Sequence, residues 1–347
     1  MNTLKQLIDT LQSKQAIVLL IVFLTLAIAP LFIKNDFYLD GFILIFLWGA
    51  FASAWNILSG YAGMVSLCHN AFFGIGAYTS TLLFLHYGLT PWLGMFVGGL
   101  LAACVGLALG VVCFRLRSHY FALATLAFGE VSHIVAMTWR SLTEGAEGLA
   151  LPIQPSLYNV SFSGKLPYVY MGLFLFLALI AVSYAIEHSR LGYYLTAFRE
   201  NEDAARALGV KTGRVRLLAM AISSFASAII GTFYAQYFVY IDPSSVIRIQ
   251  ISIQVALFAI VGGLGTVLGP AIGAIIFIPI TILLRAKLGT TLPGLHMVIY
   301  GAILILVLLY MPKGIYGTLK QRGFKIFEKP RKNLAPLRSE IEVSSRQ

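Results

Sequence analysis

The chain has 347 residues, 59% hydrophobic and only 11% charged, with a mean hydropathy of +0.84 and a formal charge of +11. Soluble proteins carry about 25% charged residues, so this chain is built for lipid, and its polar stretches, 140–167, 187–216 and 313–347, are too short for a separate catalytic domain. It has no G-x-x-x-x-G-K-[ST], H-E-x-x-H or C-x-x-C pattern, which leaves nucleotide hydrolysis, zinc proteolysis and dithiol chemistry without support.

Lys5 and Lys14 precede an apolar run, 16–33, whose Ala27-Ile28-Ala29 superficially suggests the cleavage site of a secretory signal. The run is 18 residues, longer than the usual core of about 7–15, and Pro30 disfavours cleavage, so it reads as a first membrane span. Further windows of about 20 apolar residues fall at 41–58, 64–85, 91–114, 120–139, 168–186, 217–240, 248–262, 269–284 and 295–312. The expected fold is an all-α polytopic membrane protein of about ten transmembrane helices in a compact bundle. A cytoplasmic amino terminus, 1–15, leads into a transmembrane domain, 16–312, that includes a cytoplasmic loop, 187–216, and a basic tail, 313–347, follows it.

Ten spans with both termini cytoplasmic put 19 of the 25 Lys and Arg on the inner side. That satisfies the positive-inside rule. Merging the eighth and ninth spans across Gly262–Pro270 would export the cation-rich tail and is disfavoured. The excess charge on the inner face expects anionic lipid headgroups, with no nucleic acid as partner. Cys68, Cys104 and Cys113 lie in apolar stretches and read as small hydrophobes without a disulfide framework. The glycine pairs Gly94/Gly98, Gly106/Gly110 and Gly269/Gly273 read as close packing inside one bundle.

Between Asn56 and Tyr78, glycines and polar groups crowd a place where hydropathy demands a span. Backbone broken at membrane depth survives only where protein or water covers it, and such breaks often line a solute path. Ser66, His69 and Asn70 are therefore candidate path residues, the alternative being hydrogen-bond glue between helices. Glu130 and His133 share a face of the fifth span, where an ionisable group is a functional candidate or a structural pair.

The inner segment 187–216 is charged in both signs yet carries Leu191, Tyr193, Tyr194, Leu195, Phe198 and Leu208. In Asn201-Glu202-Asp203-Ala204-Ala205-Arg206-Ala207-Leu208-Gly209, acids crowd the start and Gly209 offers a stop, as a short helix needs. It reads as a docking knob for a soluble partner in preference to a lipid-resting helix.

Asp203-Ala204-Ala205-Arg206-Ala207-Leu208-Gly209 resembles the E-A-A-x-x-x-G motif of ABC importer permeases, with Asp203 in place of Glu. Together with Gly60-Tyr61-Ala62-Gly63 to Tyr78, Ser189 to Glu202 and Gly262 to Pro270, residues 40–312 look like the branched-chain amino acid permease family. The loop Glu144-Gly145-Ala146-Glu147-Gly148-Leu149 departs from the T-G-G-P-N-G-L of typical members. The resemblance implies a non-enzymatic permease subunit of the bacterial inner membrane that forms half of a translocation path. Its implied partners are a homologous second permease subunit, two ATP-binding subunits and a periplasmic solute-binding protein. No cofactor is expected on this chain, ATP being used by the partner subunits. Phe198 and Leu208 would anchor an ATPase, with Arg199, Arg206 and Arg214 as charge partners. Urea or short amides are alternative cargoes, and a proton-coupled carrier or channel is the alternative of a different class.

Overall fold

The computed structural model describes residues 24–116, 118–288, 295–311 and 313–321. The chain divides into two units. Leu26–Thr318 holds the bundle, and Met1–Thr25 with Leu319–Gln347 forms the other, of which 24, 25 and 319–321 are described and helical. The expected amino-terminal segment 1–15 and most of the tail lie outside the described residues, and the first expected span is described only over 24–33, of which 24–32 is helical.

The main helices are α1 (Asp36–Ser59), α2 (His69–Tyr87), α3 (Pro91–Cys113), α4 (Ser118–Thr138), α5 (Lys165–Glu187), α6 (Arg190–Glu200) and α7 (Glu202–Ala207). They continue as α8 (Thr212–Phe238), α9 (Ile249–Gly263), α10 (Gly269–Leu288), α11 (Leu295–Tyr310) and α12 (Gly314–Gln321). Among the described residues, 8 helical stretches are long and apolar enough to cross a membrane, near the ten expected. The protein is an all-α polytopic membrane protein. Its one sheet among the described residues is an antiparallel pair, β1 (Leu149–Ala150) with β2 (Tyr240–Ile241), which the sequence reading did not anticipate.

Local signals explain the boundaries. The Asn35 side chain accepts from Phe37 N at the start of α1, and Thr90 caps α3 ahead of Pro91. Gly88, with φ of 62°, stops α2 in the left-handed conformation that glycine tolerates. α1 and α8 are buried along most of their length, whereas α4 and α10 bury little.

Backbone contact holds the centre. A Cβ on Gly76 would lie 1.9 Å from the Ala228 carbonyl oxygen, and one on Gly231 would lie 1.9 Å from that of Phe73. α2 and α8 are therefore in backbone contact, as small residues allow in lipid. The expected glycine pairs serve the same packing: Gly94 meets Ser80, Gly106 meets Ser224 and Gly273 meets Phe258. α9 and α10 are separate antiparallel helices, with Gly262 against Gly269 and Gly273 against Phe258, so the merged alternative does not hold.

The loops sort to two ends as the alternating spans require. At one end Lys165 Nζ meets Asp40 at 2.7 Å, Trp92 Nε1 donates to Leu157 O at 3.1 Å, and β1 pairs with β2. At the other, Arg199 reaches Gly60 and Gly265 N donates to Asn56 Oδ1 at 2.9 Å.

Candidate functional site

The break expected near residues 60–70 is present. Between α1 and α2, residues 61–68 contain no helix and are mostly buried. Backbone polar groups at membrane depth need partners, and neighbours supply them. Trp55 Nε1 donates to Ser66 O at 2.7 Å, Ser66 N donates to Ser59 Oγ at 3.2 Å, and Leu67 N donates to Thr125 Oγ1 at 3.0 Å.

Ser66, His69 and Asn70 are all fully buried. His69 Nδ1 lies 3.0 Å from Ser66 Oγ, and its Nε2 lies 2.7 Å from Ser223 Oγ, which itself donates to Ala54 O. Because the Ser223 proton is already committed, His69 Nε2 carries the proton and Nδ1 accepts from Ser66. This assignment makes the ring a neutral link in a one-way chain of donors. Asn70 donates to Ile247 O, and its Oδ1 accepts from Ser252 Oγ at 2.9 Å. The three residues thus fasten the start of α2 to α8, α9 and the one-turn helix Pro243–Val246.

Glu130 lies beside this break, because the preceding Gly129 sits against Asn70 Oδ1. Its side chain is 47% exposed, 3.8 Å from His133 Nδ1, on a helix that buries little of itself within this chain. The buried Nε2 of His133 has no hydrogen-bond partner. Among the described residues no group of three His, Cys, Asp or Glu could hold a metal ion.

The segment 187–216 holds two short helices ahead of α8. Ser189 caps α6, and the Asn201 side chain accepts from Ala204 N to cap α7. Gly209 stops α7 with φ of +82°. Asp203, Ala204 and Arg206 are exposed, Ala205 is buried, and Leu208 is 85% exposed. Arg214 is exposed on the first turn of α8.

Phe198 and Arg199 also make contacts within the chain. Phe198 is half-buried, its ring 4.7 Å from the Arg216 guanidinium, which lies 5.1 Å from Phe114 on its other contact. Arg199 Nη1 donates to Gly60 O at 3.0 Å, and its stem packs where a Cβ on Gly63 would sit. The same guanidinium would lie 2.5 Å from a Cβ on Gly265. Asn56 completes the junction, donating to Thr266 O at 2.9 Å and accepting from Gly265 N. One arginine of the segment 187–216 therefore lies against both interruptions of the bundle, bonded to the α1–α2 break and packed on the α9–α10 turn.

Asn56, Thr125, Ser223, Ser252 and Arg216 are the residues that the sequence reading missed as site members. The signal was present for Asn56, a polar residue in an apolar span, and for Ser223, Ser224 and Ser227 on α8. Nothing local marks their partners.

The family described as "Branched-chain amino acid transport system / permease component" matches residues 37–308. The high-affinity branched-chain amino acid transport system permease protein LivM of Escherichia coli is 28% identical, over 85% of this chain and 74% of its own length. The corresponding LivH protein of the same organism is 30% identical, over 77% of this chain and 90% of its own. The probable LivM permease protein of Methanocaldococcus jannaschii is 25% identical, over 62% and 66% respectively. No solved structure matches. With the family matched through nearly all the helices described above, the chain belongs to the permease components of branched-chain amino acid transport systems.

Proposed function

We propose that this chain forms half of an ATP-driven import path for branched-chain or related amino acids across a bacterial inner membrane. A homologous permease subunit would supply the other half. Two separate ATP-binding subunits would hydrolyse ATP, and a periplasmic binding protein would deliver the solute. The observation that carries the reading is the junction at Arg199: this side chain of the exposed segment is hydrogen-bonded to Gly60 O at the α1–α2 break and packs against Gly265 of the α9–α10 turn. A pull on α6 and α7 would reach the α1–α2 break and the α9–α10 turn together, as a rigid-body switch between two path states requires.

Glu130 and His133 suit the path. A charge at the centre of a lipid-facing helix costs about 2.5–3.5 kcal/mol or more, so a half-exposed carboxylate on α4 favours cover by the second subunit and a wet path between them. Ser66, His69 and Asn70 would border that path by holding the broken end of α2 in place. The test is import by membranes carrying Glu130→Gln and Asn70→Ala chains together with the partner subunits. The expected outcome is normal assembly with reduced import. Parental import rates in both would remove these residues from the path, and failure of any ATPase to co-purify with the parental chain would overturn the importer reading.

A further inference from the structure

At the docking end, a cavity of about 450 Å³ opens between the end of α3 and the start of α8, lined by Gly110, Val111, Arg115, Arg206, Gly213 and Arg216 among others. Small-ligand sites occupy about 300–1,000 Å³. Arg216 is 5% exposed and stacked on Phe114 and Phe198, which fixes the plane of its guanidinium. It meets Glu202 at 3.4 Å. A guanidinium offers five N–H donors, more than the one shared carboxylate engages. Arg115 and Arg206 add two further cations, against Glu202 as the only carboxylate of the lining, and Arg206 shares that same carboxylate. The cavity is therefore cationic and built from side chains that bind phosphate in a planar fork.

The rim indicates where the phosphate comes from. Val111 is 55% exposed, and Leu107, Cys104 and Leu100, which lie four, seven and eleven residues before it, are exposed on the same face of α3. An apolar stripe along a span that ends in a cationic cavity matches the two parts of a phospholipid, acyl chain above and phosphate below. A free anion would use only the cavity.

We propose that this cavity binds the phosphate headgroup of an anionic phospholipid from the inner leaflet, with an acyl chain along the α3 stripe. The proposal takes its orientation from the permease reading. It locates at one site the headgroup attraction that the overall basic charge only implies. Bound there, the lipid would bridge α3, α7 and α8, and would bear on the position of the docking segment.

The test is native mass spectrometry of the full-length chain alone, titrated in detergent with phosphatidylglycerol, phosphatidylcholine or inorganic phosphate. The expected result is retention of phosphatidylglycerol over phosphatidylcholine, weakened about fivefold by Arg115→Gln and unchanged by Lys313→Gln, an exposed cation outside the cavity lining. Gly213→Leu is the second variant. A Cβ there would meet nothing within 4 Å, so a side chain can start from the lining without a clash, and retention should fall although no charge changes. Equal retention of both lipids, competition by inorganic phosphate at the concentration of the lipid, or undiminished retention in both variants would each overturn the proposal. Because no partner subunit enters this measurement, its failure is distinct from failure of the importer reading, which ATPase co-purification decides.

Discussion

Leu208 and Phe198 separate docking from internal bracing. Leu208 is 85% exposed at the end of α7, so almost all of its burial remains available to a partner. Leu208→Ala removes three carbons at about 0.8 kcal/mol each, which gives about 2 kcal/mol when scaled by exposure, or roughly thirtyfold in affinity for an ATPase subunit. The stability of the permease itself should barely move, since the side chain touches little in this chain. Phe198→Ala should behave in the opposite way. It removes one of the two rings stacked on buried Arg216, a loss of about 0.5–2 kcal/mol that falls on the chain's own fold. The assay is a binding isotherm for the ATPase subunit with the permease in nanodiscs, paired with thermal unfolding of the permease alone. If Leu208→Ala binds as tightly as the parent, or if Phe198→Ala loses binding as severely with no change in unfolding temperature, the assignment of outward anchor and inward brace is wrong.

Other outcomes follow from single contacts. Asn56→Ala leaves Gly265 N and Thr266 O without their partner, so thermal unfolding should show a loss of about 2–5 kcal/mol. Gly76→Ala forces a methyl against the Ala228 carbonyl and should cost about 3 kcal/mol in the same measurement, whereas Gly88→Ala, with open space around it, should cost only the left-handed backbone penalty of about 1–2 kcal/mol. Gly209→Ala likewise meets nothing but has φ of +82°, and should weaken ATPase co-purification while costing the chain's own unfolding no more than the same penalty of about 1–2 kcal/mol. In a chain freed of Cys68, Cys104 and Cys113, single cysteines at Ser141 and Ser163 should label from outside and one at Ser189 from inside; any reversal among the three refutes the alternating topology.

The sequence by itself determined the helices, their order and their ends, because these depend on local properties. Runs of apolar residues set nine of the expected spans to within a few residues of the helices found. Asn35, Thr90, Ser189, Asn201, Gly88 and Gly209 act on backbone groups within a few residues of themselves, so their roles as caps and stops can be read along the chain. The interruption near Gly60–Asn70 was also legible, since glycines and polar groups are out of place in an apolar window. What held it together was not. The bonds from Arg199 to Gly60, Asn56 to Thr266, His69 to Ser223 and Asn70 to Ser252 join residues 139, 210, 154 and 182 apart in the chain. Only the packing of α2, α8, α9 and α10 decides which polar group meets which. For the same reason a local reading of Phe198 and Arg199 does not reach their contacts within the chain: a buried Arg216 and the Gly60 carbonyl offer them partners that exist only once the bundle has formed.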